Sequence, residues 1–528
     1  MKYHCLITEI CNFAGVPTAT PLHSTSGTTN PATYCDKTGL HHPEEVNCKT
    51  KAHSSAFAYS IPQEAVPAER AEQLENITYS RAWRQKKTVR IEAQTYGYSP
   101  IMILHIVLVI VTAVQVNSQQ LCPSVCQCNG YSAICKNLFS NVTAMTKHRF
   151  HSGLRVLEVT GSTRLELEDD LFLRWNITSL TSLDLSRNNI TKIWQRAFYS
   201  LSPLLLLSLS ENSITDIHPS TFQENIKLRF MYMNINKITS LNPELFKYNV
   251  ELEVVHVAHN RITNIHPSTF RNTRRLNNVN FSGNKLISIE PETFNQNWEL
   301  FFLFLSNNTI TDIYPSTFRN NSSLITLDIS RNKITSLNPD TLIHNKNLTF
   351  LYLQGNNITE ISNSSFRGLE NLEVLDLSNN NIDELNPLVF HNSLTSTNGQ
   401  NQVSKLKYLD LAQNMIRYFN FELYFPISSS SESSTPTFQL EYLNLRSNRL
   451  TTLDVASMKW LNQTTAITQL SANPWNCDCS VLLEVWQGLK HKLTLHCASP
   501  RQLQGKSWDF MEVFCSQASE DKPNKFLP

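Results

Sequence analysis

LTSLDLSRNNITKIWQRAF, residues 180–198, decides the fold of this chain. It places Leu180, Leu183 and Leu185 ahead of Asn188, and Ile190, Ile193 and Phe198 behind it. The order returns at a fixed interval: Asn188, Asn212, Asn236, Asn260, Asn284, Asn308, Asn332, Asn356 and Asn380 stand twenty-four residues apart without a break. A period of this length marks a solenoid, in which each copy buries its apolar face only against its neighbours. Nothing else in the chain can be interpreted until that register is set.

Within one copy the short L-x-L piece reads as a β-strand whose alternate side chains face inward. Stacked copies pair these strands into a parallel sheet on the concave side. The chain must then bend under the stack, where a buried Asn amide can bond backbone groups of its own and the adjacent turn. Each such group left unpaired would cost about 1–3 kcal/mol. Further on, Phe198, Phe222, Phe246, Phe270, Phe294, Phe318, Phe366 and Phe390 recur in one frame position, with Leu342 as the single substitution. Burial of each ring contributes on the order of 1.5–3 kcal/mol. The asparagines, leucines and phenylalanines of the frame are therefore read as structural. The frame L-x-x-L-x-L-x-x-N-x-I-x-x-I-x-x-x-x-F resembles the leucine-rich repeat, which implies an α/β horseshoe with a concave parallel sheet.

After Asn380 the ladder residues are Asn414 and Asn448, each thirty-four on. Loops within 393–404 and the Ser-rich 427–437 account for the extra length. Both fall outside the strand, where insertions into repeats become solvated loops. The repeats span 154–472. Their exposed ends need covers, and a cysteine cluster stands at each: Cys122, Cys126, Cys128 and Cys135 within 119–153, and Cys477, Cys479, Cys497 and Cys515 within 473–516. Zinc is the competing reading of such clusters. An even cysteine count behind an apolar leader favours disulfides in an oxidising compartment. The order of cluster, repeats and cluster, from Cys122 to about Ser516, resembles the flanking caps of extracellular leucine-rich-repeat proteins. These include Slit, Toll-type receptor ectodomains and the small leucine-rich proteoglycans. The resemblance implies the pairs Cys122–Cys128, Cys126–Cys135, Cys477–Cys497 and Cys479–Cys515. Each bridge would stabilise its cap by about 2–4 kcal/mol.

Residues 101–118 hold an apolar run, Ile101 to Val116, just before the first cap. The run is short for a membrane span of about twenty residues and fits the core of a secretory signal, with a cut expected at Gln119. Segment 1–100 lacks the repeat. It reads as disordered or as a gene-model extension, with Met102 the expected start. The rival reading is a type II anchor, with Arg81, Arg84, Lys86, Lys87 and Arg90 on the cytoplasmic side. Either way the repeats lie outside the cytosol. No second apolar run follows Cys515 in the tail 517–528, so neither a further span nor a lipid-anchor signal is expected there. Glycosylation sequons at Asn141, Asn176, Asn189, Asn280, Asn307, Asn320, Asn321, Asn347, Asn357, Asn363 and Asn462 agree with that compartment.

With 45 Lys and Arg against 44 Asp and Glu, the chain has no basic excess for a nucleic-acid partner. It also lacks a phosphate-binding glycine loop, a zinc-protease helix and a nucleophile elbow. His218 and His266 share a frame position with Tyr314, which makes them turn residues rather than metal ligands. No enzyme, metal or cofactor is expected.

Binding is expected on the concave sheet. Strand positions beside the inward leucines carry Phe230 and Tyr232, Phe302 and Phe304, Phe350 and Tyr352, then Tyr408 and Tyr442. Polar neighbours are His256, Asp328, Asp376, Asp410 and Arg446. Exposed aromatic clusters serve as interface anchors, although aromatics also simply suit strands. A glycan at Asn280 would separate Phe230 and Tyr232 from the later set. The function expected is extracellular recognition of a protein ligand or receptor, in immunity, adhesion or development. A glycan or microbial ligand is the lesser expectation, and a structural matrix protein or concave-face homodimer is the alternative.

Overall fold

The computed structural model describes residues 122–138, 150–163, 165–386, 389–390, 405–425, 440–477, 496–499, 501 and 504–506. All belong to one of the chain's two compact units, the one containing Gln115–Pro528. Segment 1–100, the apolar run, both inserted loops, Asn141, Cys479, Cys515 and the tail lie outside the described residues.

The chain enters through a hairpin, β1 (Cys126–Asn129) antiparallel to β2 (Ser132–Lys136). Disulfides Cys122–Cys128 and Cys126–Cys135 hold it as the resemblance implied. β2 lies parallel to β3 (Val156–Thr160), so the cap covers the first edge of the solenoid by joining its sheet. β4 (Leu165–Leu167) and β6 (Ile190–Ile193) form a separate pair. The main sheet continues through β5 (Ser182–Asp184), β7 (Leu206–Ser208), β8 (Phe230–Tyr232), β9 (Val254–His256) and β10 (Asn278–Asn280). It proceeds through β11 (Phe302–Phe304), β12 (Thr326–Asp328), β13 (Phe350–Tyr352), β14 (Val374–Asp376), β15 (Tyr408–Asp410), β16 (Tyr442–Asn444) and β17 (Ile467–Gln469). Fifteen strands make this sheet, and from β2 onward the pairing is parallel and sequential. At the far end β18 (Trp475–Asn476) pairs with β19 (Cys497–Ser499), and Cys477 is bridged to Cys497.

In β5 and β7 to β16 each turn spends only three residues on its strand, and the central one is buried, as Leu183, Leu303 and Leu409 show. The ladder then fixes one turn to the next. Asn212 Oδ1 accepts from the Asn188 and Ile190 amides at 3.1 and 2.9 Å. Its Nδ2 donates to the Leu185 and Leu209 carbonyls, both at 2.9 Å. The longer turns keep the same bond, with the Ile382 amide donating to Asn414 and the Ile416 amide to Asn448. Asn473, assigned from sequence to the second cap, is also a ladder residue: it accepts from the Leu450 amide at 3.1 Å and donates to the Leu445 carbonyl. The backbone reaches the ladder through a left-handed residue in turn after turn, including Arg187, Glu211, Ile235, Asn307, Arg331 and Gln413.

On the opposite side the rings of Phe198, Phe222, Phe246, Phe270 and Phe294 stack at 5.7–6.5 Å. Phe172 extends this spine at 6.0 Å from Phe198. Across the first insertion Phe425 stacks on Phe390 at 5.5 Å. Leu342, in the frame position of a missing ring, is also fully buried. A second asparagine ladder escaped the sequence reading. Asn225, Asn249, Asn297, Asn321 and Asn345 are fully buried, and each donates Nδ2 to carbonyls of the preceding turn; Asn249, for example, reaches Phe222 and Asn225 at 3.0 and 2.9 Å. Thr273 takes the missing place, its backbone carbonyl accepting from Asn297.

Three short helices complete the described fold: α1 (Leu171–Arg174), α2 (Phe421–Tyr424) and α3 (Val455–Gln463). Asp454 caps α3 by accepting from the Ser457 amide. Trp460 of α3 donates its indole N–H to the Phe425 carbonyl at 2.6 Å, which ties the later turns to the spine. No helix among the described residues is long and apolar enough to cross a membrane.

Candidate functional site: the concave sheet

Strand β5 and strands β7 to β16 present their first and third residues on the concave face, because the central residue points into the core. The eight aromatics singled out from sequence all occupy such positions. They are not uniformly exposed. Phe302 is the open one, at 36 % exposure, while Phe230, Tyr352 and Tyr408 are buried. Tyr232, Phe304, Phe350 and Tyr442 are half-buried. Neighbouring strands stand only about 4.8 Å apart, so rings on one face cover each other. Tyr408 and Tyr442 stack at 4.5 Å with planes 4° apart. Tyr352, Val374 and Tyr408, with Phe350 and Tyr442 against them, form an apolar cluster separate from the main core.

The aromatics fall into two sets. On β8, Phe230 packs under Arg229, whose guanidinium carbon is 5.3 Å from the ring centre and whose nitrogens bond Glu253 on the next turn. Tyr232 meets His256 edge-on at 5.3 Å. The His256 Nε2 lies 3.0 Å from Asn278 Oδ1. That oxygen only accepts, so the ring donates its Nε2 proton. Burial holds the His256 imidazole down to about 4 and pushes the Tyr232 phenol up to about 12. The second set runs from β11 to β16, with β9 and β10 between the two.

Asn280 corrects one expectation. Its side chain is fully buried, and its Oδ1 accepts from the Ser282 amide at 2.8 Å. Its burial leaves no room for a glycan in the folded chain. Asn321 is likewise fully buried, in the second ladder, with its Nδ2 committed to the Phe294 and Asn297 carbonyls. Asn176, Asn189, Asn307, Asn320, Asn347, Asn357 and Asn462 are exposed, and Asn363 is half-buried.

Carboxylates are interleaved with the second set of rings. Asp328 on β12 accepts from the Ser330 amide and hydroxyl at 3.0 and 2.6 Å, and burial raises its carboxyl. On β14, Asp376 accepts from the Ser378 amide and hydroxyl at 2.9 and 2.7 Å. Burial first, and the charge of Asp410 second, push the Asp376 carboxyl up to about 7. Asp410 on β15 accepts from the Ala412 amide, the Asn444 amide group and the Tyr408 hydroxyl at 2.9, 3.0 and 3.3 Å. Burial, with these carboxylates nearby, raises the Tyr408 phenol. The acids, expected from sequence as polar neighbours of the rings, are also in mutual register. The signal was present, since Asp376 and Asp410 each stand four residues before a ladder Asn. His218 and His266 act in turns, each Nδ1 accepting an amide proton two residues on.

The sequence profile of the leucine rich repeat matches residues 178–238, 250–310, 300–358 and 351–396. This protein is a leucine-rich-repeat solenoid with cysteine caps. Among solved structures, a chain of the Drosophila Toll–Spätzle complex in its glycosylated form is similar, with a TM-score of 0.53 and 18 % identity over 71 % of this chain and 55 % of that one. Another form of the complex gives 0.51 and 19 %, over 67 % and 57 %. The leucine-rich-repeat solenoid thus spans little more than half of those chains. A leucine-rich-repeat protein of Leptospira interrogans has a TM-score of 0.51 and 19 % identity, over 65 % of this chain and 84 % of that one. At such identities the likeness is one of fold. No curated protein matches the sequence.

Proposed function

We propose that this protein is an extracellular recognition protein that binds a protein partner on the concave face of β11 to β16. The observation that carries the reading is the mixed surface there: an open Phe302 beside half-buried rings and interleaved carboxylates. The ladders beneath it preorganise that surface, which lowers the ordering cost of binding. Aromatic anchors within a polar surround are the composition of interface hot spots. Disulfides in both caps favour an oxidising compartment and hence secretion. The exposed sequons are the sites at which we expect glycans. The Toll–Spätzle complex supplies a chain of similar fold in an assembly of two proteins, which agrees with a protein partner. Immune recognition, adhesion and developmental signalling are the roles we infer for it.

The test is capture from native extracellular fluid with wild type, Phe302→Asp and Trp298→Asp as baits. Trp298 is exposed but lies outside the strands. A partner retained by Trp298→Asp and lost by Phe302→Asp supports the concave site. A partner bound equally by all three baits overturns it.

A further inference from the structure

Asp376 and Asp410 are register partners on adjacent parallel strands, β14 and β15. Both are on the concave face and nearly closed to water, at 6 % and 8 % exposure. Two carboxylates so placed cannot both ionise without a large electrostatic cost. The surrounding elements do not relieve it. From β13 the pair is faced by Tyr352, from β15 by Tyr408, and from β16 by Tyr442 and Asn444. Asp328 on β12 adds a further acid. The cations nearby are at the margin: Lys407 is paired with Glu373 at 2.8 Å, and Arg446 is exposed in the bend after β16.

Hydrogen bonding separates the two acids. Asp410 receives donors on both oxygens, from Ala412 on Oδ1 and from Asn444 and Tyr408 on Oδ2. Among the described residues, the donors to Asp376 both come from Ser378 and meet its Oδ1. Asp410 is therefore the better-stabilised anion. We propose that Asp376 and Asp410 hold one proton between them just below neutral pH, carried by Asp376, so that the concave face gains the pair's second negative charge as pH rises through neutrality. Deprotonation releases that proton to solvent and leaves two carboxylates side by side in the sheet. The face then presents different charge on the two sides of neutrality, a pH-sensitive device built from strand register. The titration is a property of the fold and stands whether or not this face binds a partner.

The test is a potentiometric difference titration of the full chain through the neutral range, with wild type, Asp376→Asn and Asp410→Asn. Wild type is expected to release about one proton more through neutrality than Asp376→Asn, and Asp410→Asn is expected to release that proton at a lower pH. A step that stays at the wild-type pH in Asp410→Asn would overturn the sharing, since burial of Asp376 alone would then explain it. Identical curves for all three proteins would overturn it as well. Infrared difference spectra of wild type need no variant to fold: the protonated carboxyl stretch should disappear as pH rises through neutrality. Its absence at pH 6 would refute the proposal.

Discussion

The two asparagine ladders carry the same residue but should differ sharply in what they contribute. In the ladder below the concave sheet, Asn308 Oδ1 accepts from the Leu286 amide at 3.0 Å. Its Nδ2 donates to the Phe281 and Leu305 carbonyls at 3.0 and 2.9 Å. Asn308→Ala leaves that amide without a partner in the interior, at about 1–3 kcal/mol, and removes a donor from these two carbonyls and from that of Ser306. A loss of roughly 3–5 kcal/mol is expected. In the second ladder, Asn321 also donates twice, but its buried Oδ1 meets no donor among the described residues. Asn321→Ala loses two bonds and also removes an acceptor that already costs about 1–3 kcal/mol. The net loss should be near 1 kcal/mol, or about 2 with the small cavity included. Urea unfolding of both variants, followed by circular dichroism, measures the difference. In a solenoid each turn touches only its neighbours, so Asn308→Ala should also broaden the transition or divide it in two. Equal losses for the two variants, or a larger one at Asn321, would refute this account of the ladders.

Other consequences are open to simpler tests. Ile235 is a β-branched, exposed residue held at φ 55, where such side chains are strained; Ile235→Asn should stabilise by about 1 kcal/mol, read as a higher urea midpoint. Peptide mapping of the protein should find Asn280 and Asn321 unmodified; a glycan on either would contradict their burial. Burial depresses the His256 imidazole, so its contribution is present above the ordinary value of 6.5 and is lost as pH falls through about 4. The loss is on the order of 3 kcal/mol. His256→Asn should flatten the fall in urea midpoint between pH 7 and pH 4, and an unchanged slope would show that His256 is not its source.

Much of this fold was legible because a repeat restates one local contact pattern many times. The Asn188 frame located strands, ladder and spine without reference to any distant residue. The second ladder was hidden because Thr273 and Leu369 interrupt its series and no leucine frame draws attention to it. Asn473 was hidden by its neighbours, whose Pro and Trp had marked it as part of the cap. The aromatic face was visible as a set of positions, yet the state of each ring was not. Phe302 lies beside Asn278 and Thr326 and stays open, whereas Tyr408 lies beside Tyr442 and closes.

The sequence by itself determined what each position is within its own turn: inward, ladder, spine or concave. Those assignments follow from the backbone geometry of a single repeating unit. Tertiary structure alone decided which sequon asparagines are accessible, which aromatics are covered, and that two aspartates thirty-four residues apart are buried side by side on adjacent strands. Burial and charge coupling depend on the side chain in the next turn, and that neighbour is set by stacking rather than by adjacency along the chain.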